Sequence, residues 1–178
     1  MLHVFGFNRV AVAVGDLYFV DPEPLPGQEG PEHGVRLEVR LLEGLPPVGS
    51  IYSSRPINVG RPVWRADFLE SVDGEPGSFD RTHHHPRVRG WEPGPRAFDQ
   101  AMTMDPLAWL GRRLGDLDAL MEAADLPAAD RDDVEAIRQA IPEIQATVER
   151  LLHGVRAGEL ARPPEEEDGP SSARVSWL

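Results

Sequence analysis

The chain has 178 residues, 40% of them hydrophobic and 27% charged, which suits one globular domain with a sizeable core. It contains no cysteine, which excludes disulfides, thiolate nucleophiles and cysteine-based zinc sites. The formal net charge of −12, the lack of any run of about 18 apolar residues and an N-terminus without signal-peptide features predict a cytoplasmic protein that binds neither nucleic acid nor membranes.

The first part of the chain has the patterns of β-structure. Residues 10–14 and 17–20 are apolar runs on either side of Gly15-Asp16, which predicts a hairpin with a two-residue turn. Residues 35–41 alternate Val and Leu with Arg and Glu. That alternation predicts a strand with one buried face and one solvated face.

Two further strands are predicted at residues 50–59 and 62–72. In the second of them, Trp64 and Phe68 share one face and Asp67 lies on the other, because successive side chains of a strand point to opposite sides. Arg65 and Leu69 share the face of Asp67.

The next segment predicts a turn, a returning strand and a loop. Residues 73–77 are rich in Gly, Asp and Pro, so residues 78–85 are expected to return beside the preceding strand. Residues 86–100 contain many Pro, Gly and Arg residues and predict a loop. This loop is expected to be ordered, because Trp91 and Phe98 need a surface to pack against.

The periodicity becomes helical after residue 104. Asp105 is a good N-cap and Pro106 suits the first turn of a helix. Apolar residues then recur at alternating spacings of three and four in two stripes, residues 107–121 and 134–155. Pro142 lies inside the second stripe and is expected to bend that helix without ending it.

These patterns together predict an α+β fold. Residues 1–100 form an N-terminal antiparallel β-domain, either a sandwich or a partial barrel, and residues 105–157 form a C-terminal antiparallel helical hairpin. An alternative is a small sheet covered on one face by the hairpin, without an enclosed interior. Residues 159–178 have the composition of a disordered acidic tail.

The segment with the most chemical information is the histidine run at residues 83–85. It follows a turn at Pro76-Gly77, and it holds half of the six histidines of the chain. In an extended segment, His83 and His85 share one face and His84 takes the other. Two imidazoles on one face of a strand are suited to hold a metal ion together.

The pattern Pro76-Gly77, five residues, His83, one residue, His85 resembles the first motif of the cupin superfamily. The resemblance implies a small β-barrel that binds a metal through two histidines and a glutamate. The expected glutamate would fall at Arg89 or Gly90, and the nearest one is Glu92. The second motif of the family is absent.

The residues themselves support a site for one divalent transition metal: zinc, iron, copper or nickel. His83 and His85 are the first two ligands. A third ligand could be supplied by one of four residues: Glu92, Asp80, Asp67 or His33. The competing interpretation is that the histidines bond to neighbouring groups or contact water.

Carboxylates and arginines near the histidines allow further chemistry. Asp67 and Asp80 either form an acid–base pair with His83 or make salt bridges to Arg65 or Arg81. Four arginines follow closely and either bind a small anionic ligand or pair with acidic side chains of the chain itself. They are Arg81, Arg87, Arg89 and Arg96.

Two functional hypotheses follow, and neither settles whether the protein is an enzyme. The first is a divergent cupin-like metal-binding protein whose metal acts as a Lewis acid or oxygen-binding centre on a small anionic molecule. The second is a non-enzymatic interaction protein that forms a homo-oligomer through the helical hairpin and engages a partner with the acidic tail.

Overall fold

The computed structural model describes residues 1–46 and 48–163, and that part of the chain contains seven strands and four helices. The strands are β1 (Leu2–Gly6), β2 (Val10–Val20), β3 (Pro31–Gly44), β4 (Ile57–Ser71), β5 (His83–His85), β6 (Val88–Arg89) and β7 (Glu92–Pro93). The helices are α1 (Gln100–Met104), α2 (Pro106–Gly115), α3 (Leu117–Ala123) and α4 (Arg131–Arg156). Strands precede helices, which confirms the α+β prediction.

The first five strands form one antiparallel sheet in chain order, β1-β2-β3-β4-β5, and β6 and β7 form a separate ribbon. Every strand of the large sheet therefore lies beside its neighbour in sequence. The sandwich, the partial barrel and the two-helix hairpin all stay predictions. No helix among the described residues is long and apolar enough to cross a membrane.

One face of the sheet packs against the helices and forms the main core. The inward residues of β2, β3 and β4 alternate along each strand, as the period-two pattern requires. They meet Trp109 and Leu110 of α2 and Ile144 and Val148 of α4, all of them buried. On β4, Trp64 and Phe68 share one face, as the strand pattern predicts, and this face points into the core.

The other face of the sheet is buried as well, which corrects the prediction of a solvated face on β3. Arg36 and Glu38, which were expected to meet water, are 9% and 4% exposed. Alternation identifies which side chains share a face, but it does not distinguish a polar face in water from one buried by ion pairs. This second face carries the candidate site.

The predicted turn at Gly15-Asp16 is wrong, because β2 continues through both residues. The partners of β2 are β1 and β3, so its two halves have no need to pair with each other. The Asp16 carboxylate accepts from the N-terminal ammonium group and from Ala161 N, at 2.7 Å for the latter. These contacts stabilise a carboxylate inside a strand.

The predicted strands at residues 50–59 and 62–72 are one strand, β4, and residues 50–56 lie outside it. The register between β3 and β4 shifts on both sides of Arg40, and β4 continues past this irregularity. The segment after β5 holds the β6–β7 ribbon. Trp91 and Phe98 are largely exposed, but each ring has a partner. The Arg40 guanidinium lies 5.4 Å from the centre of the Trp91 ring, and the Phe98 ring centre lies 5.8 Å from that of His83.

The predicted helix start is confirmed, since the Asp105 side chain accepts from Ala108 N and Pro106 is the first helical residue. The first helical stripe is divided into α2 and α3. Asp116 causes this break, because its carboxylate caps α3 by accepting from Ala119 N. Helix α4 continues through Pro142 without interruption.

The apolar stripe of α4 is largely used within the chain. Ile137, Ile144 and Leu151 are buried in the core, so the spacing that motivated the self-association hypothesis has an internal explanation. Of the predicted tail, residues 164–178 lie outside the described residues. The preceding residues fold back onto the sheet, and Ala161 is buried.

Candidate metal centre

The second face of the sheet carries two rows of polar side chains across β3, β4 and β5. In the first row, Arg36 pairs in register with Asp67, and Asp67 pairs with His83. In the second row, Glu38 pairs with Arg65, and Arg65 pairs with His85. Residues directly opposite one another on antiparallel strands share a face, so the register alone brings these six side chains together.

Asp67, His83 and His85 form a compact buried group. One ligand atom from each lies within 4.8 Å of the others, and all three residues are buried. Asp67 Oδ2 is 3.4 Å from His83 Nε2 and 3.6 Å from His85 Nε2. The predicted histidine pair on one face is therefore present, with Asp67 as its carboxylate neighbour.

Backbone carbonyls orient both imidazoles. His83 Nδ1 lies 2.8 Å from Arg81 O, and His85 Nδ1 lies 2.6 Å from Gly94 O. A carbonyl oxygen only accepts, so each Nδ1 carries the hydrogen. In the neutral ring, Nε2 then holds the free lone pair and points toward Asp67. Metal-binding histidines usually have this arrangement, with the far ring nitrogen fixed by an acceptor.

Two arginines neutralise the buried Asp67 carboxylate. Arg36 Nε donates to Oδ1 at 2.7 Å, and Arg65 Nε lies 3.4 Å from Oδ2. Burial on its own would raise the pKa of Asp67, but the Arg36 guanidinium, the His83 and His85 imidazoles and, last, the Arg65 guanidinium hold that pKa well below its usual value. Asp67 is therefore ionised at neutral pH, as a metal ligand must be.

A cavity of about 300 Å³ opens beside this group. Arg36, Arg65 and Arg96 line it together with the three candidate ligands. The cavity thus brings potential metal ligands and three cationic side chains to one place. A small molecule inside it would contact both sets of groups.

Glu92, the predicted carboxylate ligand, lies outside the group. It is exposed on β7, whereas its neighbour Pro93 lines the cavity. Successive residues of a strand point to opposite sides, so the ribbon turns Glu92 away. The carboxylate beside the two histidines belongs to Asp67, another of the four candidates for the third ligand.

The other two candidates for the third ligand also lie elsewhere. Asp80 accepts from Ser71 N and Ser78 Oγ in the turn before β5. His33 is an odd number of residues from Arg36 along β3, so it points to the opposite face of the sheet. It lines a different cavity beside Arg156. Asp67 and Asp80 do not form the predicted pair in the site, because the residue opposite Asp67 on β5 is His83.

Of the four arginines singled out in the sequence, Arg96 lines the cavity. Arg81 donates to Gly27 O at 2.7 Å, and Arg87 and Arg89 are exposed. The cavity instead receives Arg36 and Arg65 from the central strands. The alternative prediction of a salt bridge between Asp67 and Arg65 is confirmed at 3.4 Å.

His84 points away from the site, into the main core. It is 7% exposed, and its ring centre lies 6.3 Å from that of Trp64 and 5.2 Å from that of Trp109. Its Nδ1 has no hydrogen-bond partner among the described residues. Burial, with a smaller contribution from Arg113, lowers the pKa of His84 to about 4.

The stability of the protein is expected to fall as the pH drops from about 6.5 to about 4, because in this window the unfolded chain protonates His84 and the folded chain does not. His84→Phe removes this contribution. In urea unfolding with EDTA, we expect the variant to lose less stability than wild type between pH 7.5 and pH 4.5, by about 2 kcal/mol. Parallel stability–pH profiles would show that His84 is not held neutral by the fold.

Comparison of the chain with protein-family models, with curated proteins and with solved structures found no match. The resemblance of Pro76-Gly77 and the two histidines to a cupin motif therefore stays a prediction.

Proposed function

We propose that this protein binds one divalent transition metal through Asp67, His83 and His85. The observation that carries the proposal is the buried group of one carboxylate oxygen and two imidazole nitrogens whose free lone pairs converge. Ligands at zinc bond lengths in a tetrahedral site lie about 3.3–3.6 Å apart. The two distances from Asp67 Oδ2, 3.4 and 3.6 Å, suit that spacing.

The ligand set suits zinc, iron, copper or nickel, because neutral imidazoles and one carboxylate are common donors to these ions. Arg36 donates to Asp67 Oδ1 at 2.7 Å and to Oδ2 at 3.3 Å, and Oδ2 also faces both histidines. Asp67, His83 and His85 all line the cavity, so an ion held by them would be accessible to a molecule in the cavity. There the metal would act as a Lewis acid or an oxygen-binding centre on a small anionic molecule.

The competing explanation is a purely structural ion network. Asp67 compensates the charges of Arg36 and Arg65, and such networks also occur without any metal. In that case the histidines serve only as hydrogen-bonding groups. The two explanations differ in one measurable property, which is whether a metal binds at a stoichiometry of one.

The proposal is tested by metal analysis of tag-free protein incubated with one metal at a time and then dialysed. We expect wild type to retain one equivalent of at least one of the four metals. His83→Ala combined with His85→Ala should abolish retention, because both imidazole ligands are lost.

His84→Phe is the matched control, since His84 lies on the same strand but faces the core. It should retain the metal like wild type. Sub-stoichiometric metal in wild type for all four ions, or unchanged retention in the double variant, would contradict the proposal.

A further inference from the structure

The cavity beside the candidate ligands contains a buried cation, Arg65, whose ion pairs with two carboxylates are long and lack a hydrogen bond. The Arg65 side chain is 15% exposed, and its Nε forms no hydrogen bond with any described residue. Its carboxylate neighbours lie at 3.4 Å (Asp67) and 3.9 Å (Glu38). A buried guanidinium usually has shorter, forked contacts with a carboxylate.

The other two arginines of the cavity are better paired. Arg36 donates to Asp67 at 2.7 Å, and Arg96 donates to Asp21 at 3.0 Å and to Gln28 at 2.9 Å. Their charges are largely compensated by these acceptors. Arg65 is therefore the cation in this cavity with the greatest need for an additional acceptor.

Metal binding would increase that need. Arg65 Nη2 lies 3.3 Å from His85 Nε2 and donates to its lone pair. The same lone pair is the one that His85 would give to a metal. A bound divalent ion would thus remove this acceptor and add two positive charges beside the guanidinium. A negatively charged ligand facing both groups would relieve each of these costs.

The remaining walls indicate what kind of anion fits. Phe19, Leu69 and Pro93 line the same cavity and offer apolar surface. An inorganic ion would leave this surface uncovered, whereas a ligand with a short hydrocarbon part would bury it. A cavity of about 300 Å³ limits the ligand to a small molecule.

We propose that this cavity binds a small organic carboxylic acid, with its carboxylate on Arg65 and its hydrocarbon part against Phe19, Leu69 and Pro93. The inference rests on the proposed function, because the carboxylate would also face the open positions of the metal. It names the ligand class of that site. It replaces the predicted anion-binding residues Arg81, Arg87 and Arg89 with Arg65.

The test uses calorimetry with butyrate, its neutral analogue butyramide and inorganic phosphate, on full-length protein with and without one equivalent of zinc. We expect butyrate to bind and both other probes to bind at least about tenfold more weakly, because each lacks either the charge or the hydrocarbon part. Zinc should tighten butyrate binding, since the two charges attract.

Arg65→Gln should weaken butyrate binding at least about tenfold and leave zinc affinity equal or higher. Arg89→Gln, which changes an exposed arginine, should behave as wild type. The comparison of butyrate with butyramide on wild type does not depend on the folding of any variant.

The outcomes separate the two proposals. If zinc binds but butyrate does not, or if butyramide binds equally well, the carboxylate inference is wrong and the metal proposal stands. Preferential binding of phosphate would also overturn the inference. If butyrate binds through Arg65 but zinc does not bind at all, the carboxylate site stands and the metal proposal fails.

Discussion

Asp67→Asn is expected to lower the free energy of unfolding by about 3–5 kcal/mol, since removing one partner of a buried ion pair leaves an uncompensated charge. Asp67 is 1% exposed, and its carboxylate neutralises Arg36 and Arg65 in the same layer. Asparagine keeps the shape of the side chain, so the loss reports the charge. Urea unfolding at pH 7.5 with EDTA measures this effect without a contribution from metal.

Asp80→Asn is the control for this prediction. Asp80 is an aspartate in the nearby turn whose side chain is 37% exposed, and it lies 3.7 Å from Arg81. Its replacement should cost less than about 1 kcal/mol, as for other exposed ion pairs. Equal small effects of Asp67→Asn and Asp80→Asn would mean that the buried charges on β3 and β4 do not depend on Asp67.

Gly34→Ala is expected to destabilise the fold by about 3 kcal/mol or more, because a new side chain cannot be accommodated between two close backbones. Gly34 has a φ of +154°, and a Cβ at this position would lie 2.0 Å from Phe68 O. Strand β3 would have to move away from β4, two residues before Arg36 and its partner Asp67. The site would lose the register that assembles it.

Gly30→Ala separates this clash from simple backbone strain. Gly30 also has a positive φ, +91°, but a Cβ there would meet nothing within 4 Å. It should cost only about 1–2 kcal/mol for the left-handed conformation. Thermal melts of the two variants compare the effects, and losses of the same size would show that close approach of β3 and β4 is not required.

Much of the site follows from strand geometry that the sequence already contains. Alternation placed Asp67 opposite the face of Trp64, and it placed His83 and His85 together. A turn at residues 73–77 predicted that the histidines return beside β4. These statements were enough to include Asp67 among the candidate ligands. They did not define the register, which pairs Asp67 directly with His83.

Sequence reasoning missed residues that are buried although their local pattern is typical of a solvent-exposed strand face or a turn. Arg36 alternates with apolar residues and therefore resembles a solvent-facing residue, yet its ion pair with Asp67 permits burial. Gly15-Asp16 resembles a turn, but contacts from distant parts of the chain hold Asp16 within a strand. Glu92 is close in sequence to the histidines, but the ribbon turns it outward. The burial of Arg36 and of Asp16 depends on long-range contacts that local patterns do not contain.

Anomalous diffraction from crystals grown with one equivalent of zinc shows whether Asp67, His83 and His85 hold a metal. We predict one strong peak at the zinc edge, about 2.0–2.2 Å from Asp67 Oδ2 and from both Nε2 atoms. The peak should be lost when His83 and His85 are both replaced by alanine. A peak located elsewhere, or no peak in crystals of wild type, would show that these three residues do not form a zinc site.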